Sequence, residues 1–211
     1  MKLLVTGGAG FIGSHVCDAF LADGHDVVAL DSLEGHYDPE TKLCNLASAR
    51  DYTSFQFVKG DVRDPTCLSE LPSVDAVVHL AARSGVRPSL REPWPYIDVN
   101  VNGTQKVLHW TRTRRVPRLI FASSSSVYGN NSNQASAETD SVEQPLSREM
   151  PSFSPALGCL GFGIIEIFSS VWNIGFPASV TMSPPSGIYL LLGITHSPRP
   201  TSPSTLVVVC H

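Results

Sequence analysis

The stretch VTGGAGFIG, residues 5–13, decides the fold. A short apolar run, KLLVT (2–6), enters it, and an apolar-periodic segment, Phe11 to Ala22, leaves it. The run reads as a buried parallel strand. The segment reads as a helix with Ile12, Val16, Ala19 and Phe20 on one face. Gly7, Gly10 and Gly13 are spaced G-x-x-G-x-x-G, and Gly8, Gly10 and Gly13 also satisfy G-x-G-x-x-G. Between a strand and a helix, such glycines make a tight turn, admit a pyrophosphate close to the backbone and let helix and strand pack closely. The N-terminus of the helix adds N–H groups and a partial positive charge for the phosphates. The competing reading is a plain glycine-rich turn.

The next strand argues against the plain turn. DVVAL (26–30) runs into Asp31, 18 residues beyond Gly13. A carboxylate there can accept both ribose hydroxyls of an adenosine and repel a 2′-phosphate, which favours NAD over NADP. Further strands are expected at SFQFVKG (54–60), DAVVHL (75–80) and RLIFAS (118–123), with a long helix over 94–111. Strand and helix alternate, which implies an α/β, Rossmann-like, doubly wound parallel sheet.

Composition limits the function. The net charge of -4 gives no footprint for nucleic acid. Arg112, Arg114, Arg115 and Arg118 cluster at a helix end, where a solvated face is the simple account. The five cysteines are odd in number and widely spaced, as free thiols in a reducing compartment would be, and no metal site is expected. Met1 leads directly into a core strand, so a cytoplasmic location is expected.

The chain has two dissimilar parts. Of 15 basic and 19 acidic residues, only Glu149, Glu166 and Arg199 lie beyond position 148, whereas eight of the sixteen prolines do. We therefore expect a dinucleotide-binding domain over 1–148 and a poorly ordered tail over 149–211, making the fold incomplete. Residues 156–176 are long enough to cross a bilayer, but Glu166 at their middle is costly there, so no membrane insertion is expected.

Several segments together resemble the extended short-chain dehydrogenase/reductase family, in particular its nucleotide-sugar epimerases: TGGAGFIG, LDSLEGHYDPETK, GDVRD, HLAARSGVRPS, NVNGT and FASSSSVYGNN. YDP after the second strand and GVRPSL after the fourth look most like enzymes acting on UDP-glucuronate or a related UDP-sugar. The resemblance implies roles for single positions. Phe11 and Ile12 would offer N–H groups to the pyrophosphate, and Asp31 would hold the adenosine ribose. Asp61 and Val62 would flank the adenine, although Asp61 also reads as a strand-end cap. Leu80, Ala81 and Ala82 would line the cofactor. Asn100 would touch the cofactor or, as a buried amide, bond to backbone. Arg87 would meet a substrate carboxylate or phosphate, or stay a solvated loop arginine. Ser124 matches the catalytic serine or threonine.

In the family, a tyrosine phenolate takes a proton from the sugar C4 hydroxyl while hydride passes to NAD, and a lysine lowers the tyrosine pKa. The pair is expected as Y-x-x-x-K roughly 25 residues beyond Ser124. This chain has lysines only at 2, 42, 59 and 106, and no tyrosine has a lysine four places on. Pro151 and Pro155 forbid a regular helix where the motif belongs. The resemblance thus implies an NAD-dependent UDP-sugar 4-epimerase-like protein without catalytic turnover; the alternative is a non-catalytic NAD-binding module or a truncated product. The Asp-Glu pair of the related dehydratases is replaced by Ser125 and Ser126, which disfavours dehydration. The dimer of the family uses the tyrosine helix, so dimerisation is not expected.

Overall fold

A computed structural model describes residues 1–34, 38–124 and 204–210. Five parallel strands carry the fold: β1 (Lys2–Thr6), β2 (Asp26–Asp31), β3 (Phe55–Lys59), β4 (Ala76–His79) and β5 (Arg118–Ser124). A sixth strand, β6 (Ser204–Cys210), completes the order β3-β2-β1-β4-β5-β6. The tail was expected to be poorly ordered. Ser204–Cys210 is a strand, and the rest of 149–211 lies outside the described residues.

β1 is central. Val5 pairs with Ala29 of β2 on one side and with Val78 of β4 on the other. Leu3, Leu4, Val5 and Thr6 are all buried, as a strand covered on both faces requires. The chain order reverses at β1, since β2 and β3 lie to one side and β4 and β5 to the other. A crevice opens outside the C-terminal strand ends at such a switch point.

The helix after β1, α1 (Phe11–Ala22), has the bounds expected from its periodicity. Its buried face differs. Gly13, Ser14, Cys17 and Leu21 face inward, while Ile12 and Ala19 are exposed and Val16 and Phe20 lie at the margin. The cause is Gly13: a Cβ there would collide with the Gly7 carbonyl oxygen. Only glycine allows the helix to lie this close to the loop, and that contact sets the helix rotation. Cys17 and Leu21 then pack with Val5, Val27, Ala29 and Val78. Burial raises the Cys17 thiol to about 12, so it stays a protonated core side chain.

Two short helices follow the next strands, α2 (Pro39–Asn45) and α3 (Pro65–Glu70). Each begins Asp-Pro. Asp38 accepts from Glu40 N and Asp64 from Thr66 N, and the proline occupies the first turn, where its missing N–H costs nothing. The long helix expected over 94–111 is divided. α4 (Val86–Arg91) and α5 (Pro93–Ile97) lead into a π-helical turn at Asp98–Gly103, and α6 (Thr104–Thr113) follows. The wider turn sits where Asn100 reaches across to the loop after β4, a common use of such bulges. α6 buries Val107, Leu108, Trp110 and Thr111, and Arg112, Arg114 and Arg115 at its end are exposed.

Candidate functional site

The ends of β1, β2, β3 and β4 border an open cleft of about 150 Å³. It lies within the compact unit that contains Met1–Phe121. Of the residues expected at a cofactor site, Gly7, Gly10, Asp31, Asp61, Val62, Leu80, Ala81 and Ala82 line it. The sheet brings them together from four separate connections.

The floor is the glycine loop. Gly7 has φ +71°, and a Cβ on it would stand 2.8 Å from the Ala81 nitrogen, so only glycine fits between β1 and the end of β4. Gly7 N and Gly8 N both donate to Leu30 O, at 2.8 and 3.3 Å. Gly10, the N-cap of α1, has an extended backbone and no side chain of its own to cap the helix. Because Gly10 lines the cleft, the helix turns its N-terminal end toward it. Phe11 and Ile12 form the exposed first turn, and Gly13 packs beneath the loop.

Asp31 closes one end and is buried. Its Oδ1 accepts from Leu33 N at 2.8 Å and from Lys42 Nζ at 2.9 Å, and its Oδ2 accepts from Ala9 N at 3.2 Å. An ionised carboxylate has about four acceptor positions, so roughly one remains, on Oδ2. Lys42 also donates to Glu34 O at 2.6 Å, which ties the loop after β2 to α2. Within that loop Leu33 is buried at φ 63°, a left-handed conformation costing about 1 kcal/mol that the Asp31 bond and apolar packing hold in place.

Next to it, Asp61 is held by Arg63. The guanidinium Nε lies 3.0 Å from both Asp61 oxygens, Nη1 lies 3.0 Å from Asp98 Oδ2 and Nη2 lies 3.3 Å from Glu34 Oε2. The hydrogen bond from Arg63 is the main reason the Asp61 carboxyl lies below the usual range, and the carboxylates in turn raise the arginine. Arg63 N also donates to Asp61 Oδ1 at 2.7 Å, so the same carboxylate braces the turn after β3.

Beneath the loop after β4 runs a buried polar chain. Ala81 N donates to Thr6 Oγ1 at 3.3 Å, Thr6 Oγ1 lies 2.6 Å from His79 Nδ1, and His79 Nε2 lies 2.9 Å from Thr104 Oγ1. In either neutral tautomer one ring nitrogen donates to a threonine hydroxyl and the other accepts from one, so both are satisfied. Complete burial lowers His79 to about 4, so the ring is neutral at pH 7. The loop is also fixed from outside. Asn100 Oδ1 accepts from Arg83 N at 2.7 Å and its Nδ2 donates to Arg83 O at 2.9 Å. That amide serves the backbone, the second of the two roles expected for it.

Arg87 lies exposed on α4 and is not among the cleft-lining residues; Ser124 ends β5. Ser125, Ser126 and the segment 156–176 lie outside the described residues. Lys42, Arg63 and Arg83 were not anticipated at the site. Lys42 and Arg63 fall in LDSLEGHYDPETK and GDVRD, and Arg83 directly follows Ala82, so proximity in sequence was the available signal. Among the described residues no helix is long and apolar enough to cross a membrane, and no group of three His, Cys, Asp or Glu side chains could hold a metal ion.

Comparison with known proteins identifies the family and the fold. The model of the NAD dependent epimerase/dehydratase family matches residues 3–151. UDP-glucuronate 4-epimerase of Thermodesulfobacterium geofontis is 39% identical over 147 residues, covering 68% of this chain and 45% of the relative. A probable UDP-glucuronate 4-epimerase of Rhizobium meliloti is 35% identical over 150 residues, covering 70% and 44%. The Bacillus cereus UDP-glucuronic acid 4-epimerase, solved with UDP-glucuronic acid and NAD, superposes with a TM-score of 0.66 at 32% identity, over 82% of this chain and 54% of that one. A dTDP-glucose 4,6-dehydratase from Streptomyces venezuelae, solved with NAD, gives a TM-score of 0.68 at 32% identity over 82% and 53%. The chain thus spans about half the length of the relatives it matches.

Proposed function

The chain belongs to the NAD dependent epimerase/dehydratase family, and from that premise we propose that it binds NAD in the cleft at the ends of β1 to β4 and does not itself turn over UDP-sugars. The observation that carries the reading is the pairing of a glycine loop with a carboxylate in one cleft. Gly7 and Gly10 lie at the helix end, and Asp31 stands at the tip of the next strand.

The residues present fit a dinucleotide. The glycine loop brings bare backbone and the α1 N-terminus to a pyrophosphate. Asp31 Oδ2 accepts a ribose hydroxyl, and its charge disfavours a 2′-phosphate. Asp61 and Val62 flank the base, and Ala81 and Ala82 let the cofactor lie close to β4. When bound, the nicotinamide supplies a hydride acceptor for a sugar carbinol. Ser124 would hydrogen-bond the reacting oxygen. No residue of this sequence stands in Y-x-x-x-K to take the proton. Loss of a general base costs about 10²–10⁴-fold in rate. The resemblance to UDP-glucuronate 4-epimerases makes a UDP-sugar the substrate class of the complete family site.

Thermal denaturation with NAD and NADP tests the first half of the proposal. NAD at a hundred times its Kd adds about 2.7 kcal/mol of stability, and NADP a smaller amount. No shift with NAD would reject the site. Incubation with NAD and UDP-glucuronate tests the second half, and a 4-epimer formed above a denatured control would reject it.

A further inference from the structure

Three cationic side chains line the cleft: Lys42, Arg63 and Arg83. Two are committed. Lys42 is paired with Asp31, and Arg63 with Asp61, Asp98 and Glu34. Among the described residues Arg83 has no carboxylate partner within ion-pair distance. Its Nε is out of contact with solvent and has no hydrogen-bond acceptor. A charged donor withdrawn from water without a partner is costly, and native proteins rarely leave one without a reason.

The surroundings of Arg83 prepare it for a ligand. Its backbone is fixed at both polar groups by the Asn100 amide. Its guanidinium carbon lies 5.7 Å from the centroid of the Tyr96 ring, a contact that orients the planar group without neutralising it. Tyr96 is buried and donates to Ser84 O at 3.3 Å, so the ring is held as well. Arg83 is two residues beyond Ala81, whose backbone lies against Gly7. The one unpaired cation of the cleft, among the described residues, therefore shares a wall with the glycine loop.

We propose that Arg83 is an anion-binding residue that takes the phosphate oxygens of a nucleotide diphosphate lying along the glycine loop. The inference rests on the nucleotide-binding reading of the cleft and adds a residue to it. Planar arginine suits phosphate because two parallel N–H groups meet two oxygens. The diphosphate has two sources, the dinucleotide or a sugar nucleotide, and the chemistry of recognition is the same for both.

Titration calorimetry of the full chain and of Arg83→Gln and Arg83→Lys, with NAD, ADP, UDP and adenosine, tests it. Thermal melting first establishes that each variant is folded; Arg83→Lys keeps the charge and is the control if Arg83→Gln melts early. Arg83→Gln should weaken the diphosphates by about tenfold or more, the scale of a charged hydrogen bond, and Arg83→Lys by less. Adenosine binding should not change. Weakening of NAD and ADP identifies the dinucleotide as the source, and weakening of UDP alone identifies the sugar nucleotide. Diphosphate affinities within twofold of the parent in both variants would overturn the proposal while leaving the cleft a nucleotide site. A parent chain that binds none of the diphosphates would reject the nucleotide reading itself.

Discussion

The Lys42 ammonium and the Asp31 carboxylate meet 2.9 Å apart with side chains only 10% and 5% exposed. Among the ion pairs of the described residues it is the one most withdrawn from water. Breaking such a pair by removing one partner leaves an uncompensated buried charge. Lys42→Met should therefore cost about 3 kcal/mol in urea denaturation. The double variant Asp31→Asn with Lys42→Met should recover part of that loss, because both charges then leave together. Additive losses in the cycle would show that the two groups are not coupled.

His79 makes stability depend on acid. The ring is neutral in the fold and titrates at about 4, whereas an unfolded histidine titrates near 6.5. Between those values the unfolded chain binds the proton and the folded chain does not, so acid favours unfolding. The contribution is complete above about pH 6.5 and is lost as the pH falls toward 4. It amounts to about 3 kcal/mol. Denaturation midpoints measured from pH 7 to 4 should show this slope, and His79→Gln should flatten it, at the cost of lower stability at pH 7. An equal slope in both proteins would place the acid sensitivity elsewhere.

Two glycines should respond to alanine to different degrees. At Gly13 the new methyl meets the Gly7 carbonyl, and relief requires moving α1 off the loop. A loss of about 3 kcal/mol is expected, with weakened NAD binding. At Gly24, φ is +77° and nothing lies within 4 Å. Only the left-handed backbone is strained there, which costs about 1 kcal/mol, and NAD binding should be unchanged. Comparable losses at both positions would mean that Gly13 is not held by close packing.

Arg63 sets the ionisation of Asp61. Its hydrogen bond is the largest influence lowering that carboxyl. In Arg63→Ala the Asp61 carboxyl should titrate closer to the ordinary carboxylate range when followed by NMR. A depressed carboxyl stabilises the fold above its unfolded pKa, and that stability is lost as pH falls through the folded value. The variant should therefore lose less stability on acidification than the parent in this lowest range. An unmoved Asp61 titration would assign the shift to the backbone N–H.

Much of the sheet could be read from the sequence, because buried parallel strands are short apolar runs closed by Gly or Asp. KLLVT and DVVALD stand in the fold as the sequence suggests. The short helices α2 and α3 lack a full apolar period, and their sequence signals are the Asp-Pro starts at 38–39 and 64–65. Hydrophobicity alone would turn Ile12 and Phe20 of α1 inward, but the steric demand at Gly13 sets its rotation. The glycine loop and Asp31 were legible, since their spacing reflects local chain geometry. The Arg63 clasp and the Lys42 pair were not. They depend on where α2 and the loop after β3 come to lie, which no local pattern encodes. The backbone partner of the Asn100 amide, Arg83, is set by the approach of the loop after β4, which no local pattern encodes.

The central place of β1 bears on how the chain is made. β1 precedes both of its neighbours in the chain, and they begin at Asp26 and Ala76. One side is covered early, but the other waits until some fifty further residues have emerged. During that interval a strand whose Leu3, Leu4 and Val5 are buried in the fold presents an open edge. Pairings of such high sequence separation also form slowly. The vulnerable species in this protein's biogenesis is thus a nascent chain ending short of β4, and it is there that a chaperone would be needed.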